Sequence, residues 1–155
     1  MPLIKNNYVR SELIPWLWVA LWMLVIFLFS TSTFSGVNTS RIIGPILKWL
    51  TPEITNESIA LIQFILRKTA HIIEYAVLAV LICNAIVRRL AKFTAIALIV
   101  RAVFISLIYA AFDEWHQSWS AGRIGSLIDV SIDTAGALFG SVLFLWMLKY
   151  KSSSI

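Results

Sequence analysis

Four long runs of apolar residues constrain this chain more than any other feature. They cover residues 13–32, 69–87, 94–113 and 126–148, and each is about as long as the ~20 residues that a bilayer-spanning helix needs. Only 14% of the chain is charged and 59% is hydrophobic, whereas ordinary soluble domains are roughly a quarter charged. This balance excludes a water-soluble enzyme. We therefore predict an all-α fold in one domain, residues 1–155: an integral membrane bundle of four transmembrane helices.

The segment after the first run predicts one further, shorter helix. Residues 41–50 mix apolar side chains with Arg41 and Lys48, which is typical of a helix lying in the headgroup layer. The formal charge of +5 comes from basic residues that sit mainly at the ends of the apolar runs, so we expect no nucleic-acid partner. Their distribution predicts a multi-pass protein of the cell membrane with both termini in the cytoplasm.

Polar residues occur on one side of each of the last three predicted helices. At ~100° per residue, the residues of each helix fall into one sector. The second helix carries Arg67, Lys68, His71, Glu74 and Tyr75, the third carries Tyr109, Asp113, His116 and Gln117, and the fourth carries Asp129 and Asp133. Ionisable groups in a membrane are costly and normally face a partner or a polar cavity. Since the predicted topology puts all three stripes at the outer side, we expect them to converge on one site.

The fourth helix continues its polar face with two glycines. Gly136 and Gly140 form a G-x-x-x-G pattern, which allows another helix to approach the backbone closely. The partner helix could belong to the same chain, or the pair could mediate a homodimer. Between the third and fourth helices, Glu114 and Arg123 add an acid and a base to the predicted site, and Ser126 is positioned as an N-cap.

Taken together, these motifs resemble the VanZ-like family over about residues 16–145. The matching pieces are Ser30-Thr31-Ser32, Lys68-x-x-His71-x-x-x-Tyr75-x-x-Leu78, Asp113-Glu114-x-His116-Gln117, Gly122-Arg123 and Asp129-x-x-x-Asp133-x-x-Gly136-x-x-x-Gly140. The chain departs from the family pattern at Asp133, where Asn is frequent, and it lacks a glutamine after the serine pair. The resemblance implies a four-helix bacterial membrane protein associated with teicoplanin resistance, a family without a settled mechanism.

The leading functional hypothesis is an extracytoplasmic polar pocket that binds an envelope lipid or a lipid-linked cell-wall precursor. Lys68, Arg67 and Arg123 could engage phosphate, while the excess of acid favours a ligand with an amine or amide portion. Membrane lipids are the expected partners, no cofactor is required, and a glycopeptide (teicoplanin) resistance phenotype is expected. The predicted ligand-binding residues are Lys68, His71, Glu74, Tyr75, Asp113, Glu114, His116, Gln117, Arg123, Asp129 and Asp133.

Two alternatives stay open at the level of sequence. In the first, zinc or iron held by His71, Glu74, Asp113 and His116 activates water in a membrane hydrolase that acts on a lipid ester or phosphoester. In the second, the ionisable groups form a salt-bridge network that fixes helix packing in a membrane scaffold protein. Whether any reaction is catalysed does not follow from these residues.

Overall fold

A computed structural model describes residues 2–31, 36–90, 92–119 and 126–152. Five helices and no strands occur in these ranges. They are α1 (Pro2–Phe29), α2 (Gly36–Leu50), α3 (Asn56–Arg89), α4 (Ala95–Gln117) and α5 (Leu127–Ser152). Three of them, α3, α4 and α5, are long and apolar enough to cross a membrane, and Leu13–Phe29 of α1 is a shorter apolar helix. The all-α prediction is confirmed, and these helices fit a membrane bundle.

The helix ends follow local capping chemistry and differ in detail from the predicted spans. Thr55 caps α3 by accepting a hydrogen bond from the Ser58 amide, and Thr94 caps α4 by accepting one from the Ala97 amide. The apolar span at 69–87 therefore lies within a longer helix, as the helix-start residues Asn56-Glu57-Ser58 before Ile59 predict. At about 51 Å, α3 exceeds the ~30 Å of a bilayer core. The helix α4 continues through the polar residues 113–117 and ends at Gln117. The predicted polar stripe required this continuation.

The core lies along the inner face of α3. Tyr75, Leu78, Ala79 and Ile82 are buried at a helical spacing of three to four residues. The helix α3 packs most extensively against α5 and also against α1 and α4, and α2 makes a smaller contact with α3. Many large apolar side chains on the outer surface are exposed, such as Leu17, Ile108 and Phe139. An apolar exterior of this kind suits contact with lipid rather than water.

The two glycines of α5 set its distance from α3. A Cβ atom added at Gly136 would lie 2.6 Å from the Ile72 carbonyl oxygen, and one added at Gly140 would clash with the carbonyl oxygen of Ala76. The helix that approaches the G-x-x-x-G pattern is thus α3 of the same chain. The close contact brings the polar faces of α3 and α5 together one to two turns away.

Candidate functional site

Two polar pairs join α3 to α5 on successive turns. The Lys68 Nζ donates a hydrogen bond to Asp129 Oδ1 within an ion pair. One turn further along, His71 Nδ1 lies 3.2 Å from Asp133 Oδ1. Asp133 is fully buried, and its second oxygen, Oδ2, has no hydrogen-bond partner among the described residues. The helical phase of these four residues therefore places them together as the sequence predicted.

Asp113 connects α4 to the end of α1. Its Oδ2 accepts hydrogen bonds of 2.8 Å from both the Ser30 hydroxyl and the Gln117 side-chain amide. Gln117 Nε2 also lies 3.3 Å from the Ser30 Oγ, to which it donates. Asp113 is fully buried, and its Oδ1 finds no partner within the described part of the chain. One oxygen of this carboxylate is thus held in place while the other is unused.

Glu114 bonds to the start of α5. Its Oε2 accepts a 2.9 Å hydrogen bond from the backbone amide of Ser126, directly before α5 begins. The Ser126 carbonyl accepts from the Val130 amide, as expected of the residue that precedes a helix. Glu114 Oε1 is buried and has no partner among the residues described. A carboxylate on α4 therefore fixes the beginning of α5 and keeps one oxygen available.

Tyr75 and His116 add two further buried polar atoms without hydrogen-bond partners in the described structure, the Tyr75 hydroxyl and His116 Nδ1. Tyr75 is close enough to Asp113 and Asp133 for both charges to act on its hydroxyl. The His116 ring packs against Phe27 of α1 with ring centroids 4.4 Å apart. Asp113 is also near His71 and His116. Side chains of α3, α4 and α5 therefore share one region, which we call the polar cluster: Lys68, His71, Tyr75, Asp113, Glu114, His116, Gln117, Asp129 and Asp133.

The remaining predicted residues are Glu74, Arg67 and Arg123. Glu74 is half-buried and close enough to His71 and Tyr75 for its charge to act on both, and its backbone carbonyl accepts a hydrogen bond from the Trp22 indole. Arg67 is exposed, and its guanidinium lies over the ring of Phe64, 6.0 Å from the centroid. The structure therefore does not bring Arg67 into the polar cluster. Arg123 lies outside the described residues.

Sequence reasoning from helical phase missed the contribution of α1. Ser30 belongs to the motif at the end of this helix, yet no periodicity indicated that its hydroxyl would bind Asp113. Tyr109, predicted to face the site, has its ring centroid 6.3 Å from that of Tyr75 and donates a 2.5 Å hydrogen bond to the backbone carbonyl of Met23. Trp22 and Met23 are thus further anchoring points that no polar pattern in α1 could have indicated.

The charges and polar atoms of the cluster determine which kind of ligand it can bind. No group of three His, Cys, Asp or Glu side chains comes together as candidate metal ligands within the described ranges. Four carboxylates stand against Lys68 and two histidines, and Lys68 is already paired with Asp129. The unpartnered atoms are three carboxylate oxygens, a hydroxyl and an imidazole nitrogen. This arrangement is suited to a group that donates several hydrogen bonds.

Comparison with known proteins gives one match. A family model described as VanZ/LLP1 matches residues 15–148 and so includes the whole polar cluster. No curated protein and no solved structure matches the chain.

Proposed function

The chain belongs to the VanZ/LLP1 family, and we propose that its polar cluster binds the polar part of an envelope lipid or a lipid-linked cell-wall precursor. The cluster would form a pocket that opens to the outer leaflet. The protein would then handle such lipids in the cell envelope, and a glycopeptide resistance phenotype would be a consequence of this binding.

This proposal includes a topology of four spans with α2 in the headgroup layer. The apolar part of α1, Leu13–Phe29, has 17 residues and is about 26 Å long, close to the thickness of a bilayer core. Support for the position of α2 comes from Ile42, Ile46 and Trp49, which are exposed at i, i+4 and i+7 and so lie on one face. Bilayer contact would cover this face.

The proposed orientation has both termini in the cytoplasm. It rests on the basic residues near the helix ends, because lysine and arginine close to membrane spans are retained on the cytoplasmic side. Arg88, Arg89 and Lys92 between α3 and α4 and Lys149 and Lys151 near the end of α5 are then cytoplasmic. The polar cluster, at the other end of these helices, would face the exterior.

One observation carries the proposal: five buried polar atoms of the cluster lack a hydrogen-bond partner in the described part of the protein. Buried polar groups in proteins are nearly always hydrogen-bonded, and leaving one unpaired costs about 1–3 kcal/mol. Five such atoms on α3, α4 and α5 support a site that a bound ligand completes. A purely structural network would give each of these atoms a partner elsewhere in the protein.

The chemistry of the cluster favours the donor-rich part of a ligand. Carboxylate oxygens of Asp113, Glu114 and Asp133 accept hydrogen bonds and repel a bare phosphate. An amine, amide or hydroxyl group avoids that repulsion, and the peptide stem of a lipid-linked cell-wall precursor offers such groups. A phosphate in the same ligand would need Arg123, since Lys68 is paired with Asp129.

A structural network is the second candidate, and a specific observation favours it in part of the cluster. The Lys68–Asp129 and His71–Asp133 pairs both connect α3 with α5 beside the close contact at Gly136. Such pairs can specify helix packing without adding net stability. They leave the unpartnered atoms of Tyr75 and Glu114 unexplained, and this is why we prefer binding.

Native mass spectrometry of the purified protein tests the binding function. The probes are a lipid-linked cell-wall precursor with a peptide stem and the same lipid phosphate without the peptide. We expect selective retention of the peptide-bearing probe by the wild type and its loss in Asp113→Asn and Asp133→Asn. Glu53→Gln, which removes an exposed carboxylate outside the cluster, should bind normally. Equal retention by the cluster variants would contradict the proposal.

The hydrolase hypothesis requires a different experiment. Purified protein should then contain near-stoichiometric zinc or iron, and His71→Ala/His116→Ala should lose it. The resistance phenotype is tested by comparing teicoplanin susceptibility of cells that express the wild type, Asp113→Ala or Glu53→Gln at equal membrane levels. Unchanged resistance in Asp113→Ala would contradict a role of the cluster.

A further inference from the structure

An open groove lies at the opposite end of the bundle from the polar cluster. It occupies about 410 Å³ between α1, α3 and α4, and its walls include Trp16, Ile86, Arg89, Arg101, Phe104 and Ile105. This volume lies in the range of small-molecule sites, which is about 300–1,000 Å³. The groove is therefore large enough to receive part of a lipid molecule.

Two arginine residues, Arg89 and Arg101, belong to the lining of this groove, whose surface is almost entirely apolar. Neither Arg89 nor Arg101 forms an ion pair with any described carboxylate, and both are exposed. Arg89 is the last residue of α3, whereas Arg101 lies six residues, or about 9 Å, inside α4. A basic residue at a helix end follows from topology alone. An arginine inside a span is costly and normally extends to the interface or has a partner, so exposed Arg101 is available to an external anion at this end.

The chain supplies almost no negative charge at this end. Arg10, Arg88 and Lys92 add to the positive charge in sequence segments on the same side. Among residues 2–29, 76–106 and 140–152, Glu12 is the only acid, and its side chain lies outside the described set. Within these ranges the chain therefore offers little negative charge that would compete with an external anion for Arg89 and Arg101.

We propose that this groove binds an anionic phospholipid, with its phosphate between Arg89 and Arg101 and an acyl chain along Trp16, Phe104 and Ile105. Arginine binds phosphate through two parallel hydrogen bonds, and basic pockets between membrane helices are suited to anionic headgroups. The apolar walls next to the two cations match the amphipathic shape of a lipid. This site shares no residue with the polar cluster and does not depend on its function.

Lipid binding to the purified protein in detergent tests the proposal. Native mass spectrometry compares phosphatidylglycerol with phosphatidylcholine of the same acyl chains. We expect a preference for phosphatidylglycerol of roughly tenfold, about 1.4 kcal/mol, in the wild type. The variant Arg89→Gln/Arg101→Gln should lose this preference. Persistence of the preference in this variant would overturn the proposal.

The matched control separates the groove from general attraction to anionic lipid. Arg88→Gln/Lys92→Gln removes the same charge from the same end, but neither residue lines the groove. It should keep the preference, and an equal loss in both double variants would overturn the proposal. Glycerol 3-phosphate should not displace the bound lipid, because it has no acyl chain. Displacement at equal concentration would assign the groove to a soluble phosphate ester instead.

A charge-conserving variant covers the case in which the double variant does not fold. Arg101→Lys keeps the positive charge but cannot make the bidentate contact. The preference for phosphatidylglycerol should then fall at least about threefold, with a normal elution profile on size exclusion. An unchanged preference in Arg101→Lys would show that Arg101 makes no specific phosphate contact and would overturn the proposal.

Discussion

Gly140 on α5 lies directly against the backbone carbonyl of Ala76 on α3, with no room for a side chain between the two helices. The contact is backbone to backbone, so no flexible side chain can move aside. Together with Gly136 against Ile72, it fixes the separation of α3 and α5. The polar pairs Lys68–Asp129 and His71–Asp133 lie further along this same crossing.

Gly140→Ala should therefore destabilise the fold. The added methyl group forces the helices apart, and overpacking of this kind costs about 1–3 kcal/mol. Denaturation in mixed micelles measures the loss. Gly44→Ala on α2 is the matched control, since no atom beyond its own helix backbone and chain neighbours lies within 4 Å of the added methyl group, and helix propensity predicts a gain of up to about 1 kcal/mol. Equal stability of the two variants would contradict the close packing of α3 on α5.

The Lys68–Asp129 pair should behave as a coupled unit. Both side chains are mostly buried, with 16% and 22% of their surface exposed, so removal of one partner leaves a poorly solvated charge. We expect Lys68→Met and Asp129→Leu each to cost about 1–3 kcal/mol, and the double variant to cost less than their sum. Arg67→Met, one residue away and exposed, is the control. Strict additivity in the double-mutant cycle would contradict the pairing.

Ser30→Ala should weaken the contact between α1 and α4. The substitution removes a donor to buried Asp113 Oδ2 and an acceptor for Gln117, a loss of about 1–2 kcal/mol. Thermal unfolding in detergent measures it. Thr31→Ala removes a neighbouring hydroxyl that, within the described residues, donates to the Leu28 carbonyl of its own helix, and it should have less than half the effect. A reversed order of the two variants would contradict the role of Ser30.

The proposed topology predicts which connections a membrane-impermeant maleimide can reach in intact cells. Glu53→Cys, between α2 and α3, should react from outside, whereas Lys92→Cys, between α3 and α4, should react only after permeabilisation. Both positions are exposed, and the native Cys83 is buried, so its background reaction is small. Cys83→Ala removes that background. The opposite labelling pattern would place the polar cluster on the cytoplasmic side.

Helical phase predicted part of the site because the relevant contacts lie between regular helices. His71 and Asp133 meet because each belongs to a polar stripe on an amphipathic face. The contact of Ser30 with Asp113 spans 83 positions and depends on the end of α1, where the helical repeat stops. Arg67 lies between His71 and Glu74 in helical phase and so fell inside the predicted stripe, but the structure leaves it exposed.

The first residues of the helices were predicted less well than the helices themselves, because helix starts depend on local sequence. The predicted segment of α2 began at Arg41, where the apolar pattern starts, whereas the helix begins at Gly36. Residues such as Gly36 and Asn38 have low intrinsic helix propensity and carry no apolar periodicity. The early start of α3 at Asn56 follows from the Thr55 cap, because a cap can begin a helix well before the apolar span does.

A high-resolution structure of the protein in native lipid tests the central claim most directly. We predict density for a molecule other than protein and water, with polar atoms within about 3.5 Å of Asp113 Oδ1 and Asp133 Oδ2. A well-resolved site in which these two oxygens contact only protein groups or ordered water would contradict the claim. The polar cluster would then be a structural network rather than a binding site.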